Sequence, residues 1–147
     1  MAAALAHALP RALPDAFVLY LSGELGAGKT TFARGFLQAL NAPQPIRSPS
    51  YTLVETYELA GLTAVHLDLY RLSDASELEA LGLRELAAPG YLWLIEWPER
   101  GAGRLPAPDL EIVLSVQAPG HTLAIEPRSS AGNALLRAAV ASLPASS

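Results

Sequence analysis

The sequence predicts a three-layer α/β domain with a central mixed β-sheet, and three observations predict it. Two short runs, Ala16–Leu21 (AFVLYL) and Tyr91–Glu96 (YLWLIE), are apolar enough to be buried on both faces and too short for core helices. Between them, Phe32, Phe36, Leu37 and Leu40 recur at helical spacing over residues 28–40. Two further stretches alternate around turn residues in the manner of hairpins. Buried strands interleaved with an amphipathic helix give a sheet covered by helices, and hairpins add antiparallel neighbours to it.

Each element has its own signal. Residues 2–13 suit a short helix limited by Pro10. The apolar strand at residues 16–21 ends at Ser22-Gly23, and the helix of residues 28–40 is stopped by Asn41, Pro43 and Pro45. Tyr51–Tyr57, rich in Thr, Val and Tyr, reads as a strand that turns at Ala60-Gly61 into a second strand, Thr63–Asp68. Asp74 with Glu77 has the spacing of a capping box for a helix through Leu81, with Gly82 as its stop. Residues 98–109, with three prolines and two glycines, read as loop. Asp109–Val116 and Thr122–Glu126 form a second hairpin turning at Pro119-Gly120, and Ser129 or Ser130 caps a final amphipathic helix over residues 131–142.

The whole-chain quantities bound what this domain does. Its 147 residues, 51% apolar, suffice for one domain over residues 1–147 with its own core. Without cysteine there is no disulfide framework and no thiolate metal site. The N-terminal residues 1–8 lack a basic leader, and no apolar run reaches the roughly 18 residues of a membrane span, so the expected location is cytoplasmic, with no membrane partner. A net charge of −4 argues against direct grip on nucleic acid. Nine of the ten basic residues are arginine, and the single lysine is Lys29. An ammonium there, in a chain that otherwise uses guanidinium, suits a compact charge reaching along a phosphate chain.

That lysine lies in Gly23-Glu24-Leu25-Gly26-Ala27-Gly28-Lys29-Thr30, an ungapped match to GxxxxGK[ST] between a strand and an amphipathic helix. Glycines let the backbone of Glu24, Leu25, Gly26, Ala27 and Gly28 approach a phosphate, and the positive end of the following helix faces the same charge. Lys29 would bridge β- and γ-oxygens, the Thr30 hydroxyl would ligate Mg²⁺, and Thr31 would reach the α-phosphate. The expectation is thus a single-domain P-loop NTPase with Mg²⁺ as cofactor. The alternative is a glycine-rich turn that caps the helix and binds nothing.

A P-loop needs carboxylates for the metal and the attacking water. In open α/β sheets ligands sit beyond the carboxyl ends of strands, where Asp68 closes AVHLD and Glu96 closes LWLIE. Glu96 is assigned to magnesium and Asp68 to orienting water or the metal's water shell; the reverse order stays open. An acid that simply marks a strand end is the plainer reading of either residue alone. His66 shares a strand face with Asp68 and reads first as a hydrogen-bonded core histidine. Arg71 would pair with Asp68, with phosphate, or in a structural salt bridge. Trp97 is placed at the edge of the site, with plain core or surface packing as the equal alternative. The segment from Arg47 to Glu55 (RSPSYTLVE) offers Ser48, Ser50, Tyr51 and Thr52 where switch loops feel a γ-phosphate, with a plain polar loop as the equal alternative.

Taken in order, GELGAGKTTFARGFLQAL, SPSYTLVETY, HLDLYRL, ELEALGLRE and IEWPERG resemble one family over about residues 18–117: the bacterial tRNA threonylcarbamoyladenosine biosynthesis ATPases, TsaE. The resemblance implies a small ATPase whose substrate is ATP. It would act with a two-protein complex, a metal-dependent transferase and its paralogue, that installs threonylcarbamoyl on adenosine 37 of tRNAs reading ANN codons. ATP hydrolysis would reset or activate that complex, and tRNA would be met only through it. The resemblance places Lys29, Thr30 and Thr31 on phosphate and metal, Glu96 on the magnesium carboxylate, Asp68 on the catalytic acid, and Trp97 beside the site.

There are departures from the family pattern. Ser50 stands where the family has threonine, which keeps the hydroxyl. His121 stands where an arginine often lies near the base, and residues 1–147 are expected to lack most of a base-seating first strand; both leave the adenine contacts open. Two other functions compete. A small-molecule kinase would share the P-loop but needs an acceptor pocket and often an arginine-rich lid, and no arginine cluster follows the central strands. A nucleotide-sensing module would bind without useful turnover. No Asn-Lys-x-Asp motif supports a GTPase.

Overall fold

The computed structural model describes residues 1–144. Six strands form one sheet in the order β2-β3-β4-β1-β5-β6. They are β1 (Phe17–Gly23), β2 (Val54–Leu59), β3 (Leu62–Asp68), β4 (Tyr91–Glu96), β5 (Leu110–Gln117) and β6 (Gly120–Pro127). The four central strands β3, β4, β1 and β5 run parallel, and the edge strands β2 and β6 return antiparallel as hairpins. The mixed sheet follows from connection length. Two-residue turns permit only antiparallel pairing, whereas parallel neighbours need a long crossover.

Strand alternation builds two cores. Leu19, Leu21, Leu92, Leu94, Leu110 and Ile112 face α1 (Ala2–Ala8), α2 (Lys29–Ala39) and α4 (Ser130–Ser142), meeting Leu5, Phe36, Leu37 and Leu135. Val18, Val65, Leu67, Trp93 and Ile95 face the other way. There the cover is thinner: α3 (Glu77–Ala80), a 3-10 turn at Leu83–Leu86, and loops that supply Leu72, Leu78 and Leu83. The three layers hold, with one of them slight.

Several boundaries differ from expectation for local reasons. The first helix ends at Ala8 rather than near residue 13. The strand expected from Tyr51 begins only at Val54, because Leu53 takes φ +69° and residues 50–52 form a turn closed by Leu53 N–H donating to Pro49 O at 2.8 Å. No capping box forms at Asp74: its Oδ1 accepts from Ser76 N–H at 3.0 Å, and α3 is a single turn without a side-chain cap. Gly82, in the left-handed region, does end α3, but a 3-10 turn follows at once. Residues 98–109 open with another 3-10 turn, Pro98–Gly101. The second hairpin turns at Ala118-Pro119, one residue earlier than expected, since Gly120 already pairs with Gln117.

One clasp fixes the last helix. The Ser129 hydroxyl accepts from Gly132 N–H at 3.0 Å and donates to Asp109 Oδ1 at 2.6 Å, while Asp109 Oδ2 accepts from Val18 N–H at 2.8 Å. Gly132 lets α4 lie against the Asp109 carbonyl, where a Cβ would collide with the backbone oxygen. Gly132→Ala is therefore expected to cost about 1–3 kcal/mol of stability through forced backbone movement. Urea unfolding checks this, and an unchanged midpoint would remove the close-packing argument.

Candidate functional site

The parallel register decides which side chains meet. Leu21 pairs with Glu96, and Glu96 with Asp68, so the ends of β1, β4 and β3 finish level with one another. The phosphate-loop motif continues from β1 at that level, and α2 starts at Lys29. Gly23 carries φ +143° and lies where a Cβ would collide with the Leu114 carbonyl, so the loop can leave the sheet this tightly only with glycine.

Glu96 and Asp68 are 1% and 5% exposed, yet both line a small cavity at this end of the sheet. Its other walls are Leu25, Gly26, Lys29, Thr30, Ser50, Tyr70 and Trp97. The Thr30 hydroxyl donates to Glu96 Oε1 at 2.8 Å. The second oxygen of Glu96, Oε2, lies 2.7 Å from His66 Nε2. Asp68 accepts the Ser50 hydroxyl on Oδ2 at 3.2 Å and Tyr70 N–H on Oδ1 at 3.1 Å. Its own N–H donates to Leu53 O at 3.1 Å, which ties the loop before β2 to the acid.

Lys29 is 5% exposed and folded along its own loop. Nζ donates to Gly23 O at 2.6 Å and Glu24 O at 2.8 Å, and it sits 4.2 Å from the centre of the Trp97 ring. Burial pushes the Lys29 ammonium below its ordinary value, and the nearby Glu96, Glu99 and Asp68 carboxylates oppose that shift. Trp97 itself takes a left-handed backbone conformation, φ +58°, which aims its ring back over the lysine. Tyr70 stacks on the same indole at 5.1 Å, with the rings tilted by 45°.

Most of the expected residues thus converge. Leu25, Gly26, Lys29, Thr30, Ser50, Asp68, Glu96 and Trp97 share one cavity, and Glu24 supports Lys29 through its carbonyl. Ala27 packs into the core behind the loop. Gly28 precedes α2, with its carbonyl accepting from Phe32 N–H at 2.8 Å. Thr31 is exposed on the first turn of α2 and does not line the cavity.

The switch-like segment is divided. The hydroxyls of Ser48 and Ser50 bond each other at 2.7 Å, which leads from solvent to Asp68. Tyr51, 84% exposed, instead takes the Arg71 guanidinium over its ring at 4.5 Å, and Thr52 donates to Glu55. Arg71 forms no ion pair with Asp68 among the described residues. His121 is exposed on β6, opposite Val116, outside the cavity. Tyr70 was not foreseen; its signal was an aromatic two residues after a strand-end acid, and nothing in a linear reading says that it turns back onto Trp97.

A family profile described as "Threonylcarbamoyl adenosine biosynthesis protein TsaE" matches residues 1–123. The tRNA threonylcarbamoyladenosine biosynthesis protein TsaE of Haemophilus influenzae is 50% identical over 95 residues, covering 65% of this chain and 60% of that protein. The protein of the same name from Treponema pallidum is 37% identical over 111 residues, covering 76% of this chain and 82% of its own length. The chain therefore spans about 60% of the Haemophilus relative and of a Bacillus subtilis one. In three dimensions it is similar to the crystal structure of Bacillus subtilis YdiB, with a TM-score of 0.72 and 28% identity, covering 95% of this chain and 85% of that one. The fold is that of a P-loop NTPase, and by the profile match and these identities the chain belongs to the TsaE family.

Proposed function

We propose that this chain is the Mg²⁺-dependent, ATP-hydrolysing component of the tRNA threonylcarbamoyladenosine machinery, acting with the two-protein transferase complex in the cytoplasm and not transferring the group itself. The observation that carries this reading is the 2.8 Å hydrogen bond from Thr30 to Glu96, which joins the end of the phosphate loop to the acid at the end of β4. Family membership supplies the biological setting.

The donor set suits magnesium. One hydroxyl and one carboxylate are hard oxygen ligands, and Mg²⁺ commonly takes only one or two protein carboxylates, completing its shell with phosphate and water. Thr30 and Glu96 would hold it, and when bound it would neutralise charge on the β- and γ-phosphates. The chain's own groups do the rest. The loop amides and the start of α2 bind phosphate. Lys29, already turned along the loop, adds a fixed positive charge. Asp68 would accept a hydrogen bond from, and so orient, an attacking water or the metal's water shell; Ser50 and the Tyr70 amide keep its carboxylate in place. Trp97 limits water around the ammonium.

The test is phosphate release from ATP and from GTP, with and without the two transferase proteins and tRNA. Slow release from ATP alone, raised by the partners, is expected. Stimulation by none of them would remove the assignment to this machinery, and labelled phosphate on a metabolite in place of free phosphate would make the chain a kinase.

A further inference from the structure

His66 has no part in the chemistry above, and packing does not explain it. It is 1% exposed on β3, two residues before Asp68. It is not among the residues that line the cavity. An imidazole in such a place costs desolvation unless its nitrogens are paired. Only one is: Nε2, 2.7 Å from Glu96 Oε2. Nδ1 is buried with no hydrogen-bond partner among the described residues.

That asymmetry fixes where the proton goes. A proton on Nδ1 would be a buried donor without an acceptor, and the bare Nε2 would face a carboxylate oxygen, lone pair against lone pair. A proton on Nε2 gives Glu96 a hydrogen bond and leaves only an unused acceptor at Nδ1. Glu96 is then held from two sides, by Thr30 on Oε1 and by His66 on Oε2. The Thr30 contact is one that a metal shared by both residues would replace. The His66 contact, on the buried side, would survive.

We propose that His66 is a positioning residue for Glu96: from inside the sheet it fixes the rotation of the carboxylate, so that the acid presents a preset oxygen to the cation arriving with the nucleotide. The proposal rests on the reading of Glu96 as the magnesium carboxylate. Partners of this kind, behind a ligand, commonly change metal affinity or activity about 10–100-fold when removed.

The full chain serves for the experiment, as His66→Leu, which fills the space without a donor, and His66→Gln, whose amide N–H reaches toward the same oxygen. Binding of a fluorescent ATP analogue is measured in EDTA and across a Mg²⁺ titration, beside the KM and kcat of phosphate release. The Leu variant is expected to need about 10–100-fold more Mg²⁺ while its EDTA binding stays within about twofold of wild type, and Gln to recover most of the loss. In the nucleotide-free wild type, nitrogen NMR is expected to show the Nε2–H tautomer. A Leu variant with the wild-type Mg²⁺ response, a Gln variant that needs about 10-fold more Mg²⁺ than wild type, or a neutral imidazole with its single proton on Nδ1 would each overturn the proposal, and the last two need no folded Leu variant. A wild type that binds nucleotide without any Mg²⁺ response would instead overturn the reading of Glu96, and this inference with it.

Discussion

Lys29→Ala is expected to lower ATP turnover by about 10²–10³-fold, the usual cost of deleting one preorganised charge stabiliser from a phosphate site. The size follows from how the ammonium is held. Nζ spans the Gly23 and Glu24 carbonyls and lies under the Trp97 ring, so the positive charge is in place before any ligand arrives. Alanine removes the charge and leaves two loop carbonyls and the indole face without their partner. Lys29→Arg is expected to fail nearly as badly, because a planar, forked cation does not fit a slot shaped around a compact one. Calorimetry with Mg·ATP and steady-state phosphate release measure both effects. Wild-type binding and turnover in the alanine variant would mean that the loop does not hold a triphosphate.

Glu96→Gln should separate metal use from nucleotide binding. The amide keeps the volume and one oxygen at the end of β4 but loses the charge, and Mg²⁺-dependent hydrolysis is expected to drop by about a hundredfold or more. Binding in EDTA should change far less, since the loop amides and Lys29 would supply that contact. Glu96→Ala is the harsher change. It strips the acceptor from both the Thr30 hydroxyl and the buried His66, and an orphaned buried donor costs about 1–3 kcal/mol. The alanine variant should therefore lose stability as well as activity, while the glutamine variant loses mainly activity. Thermal melting beside phosphate release tests the split. Equal hydrolysis by wild type and Glu96→Gln would reassign the metal to Asp68, the order that the sequence left open.

What could be read from the sequence was what local chemistry dictates. Gly23–Thr30 announces itself because a phosphate loop needs glycines, a lysine and a hydroxyl at fixed spacing. Asp68 and Glu96 were legible because an acid that ends an apolar run must emerge at a strand end; their pairing in register is a property of the sheet. The misplaced start of β2 has a different cause. Tyr51 and Thr52 have strand propensity, but Leu53 in the left-handed region breaks the extended path, and the reason is tertiary: its carbonyl is taken by the Asp68 amide. Asp74 had the right spacing for a cap but its carboxylate turned to a closer amide, two residues on. His66 was the hardest to read. A histidine in a buried strand suggests a satisfied core residue, and only the cross-strand geometry shows that its one partner is the acid at the site.

The two tryptophans stand in unlike surroundings although only three residues lie between them. Trp93 is sealed in the core with its indole N–H donating to the Leu86 carbonyl, whereas Trp97 lies half-buried against a cation at the mouth of the cavity. The molecule thus carries a steady indole and a responsive one, an internal optical reference next to a probe, with no dye attached.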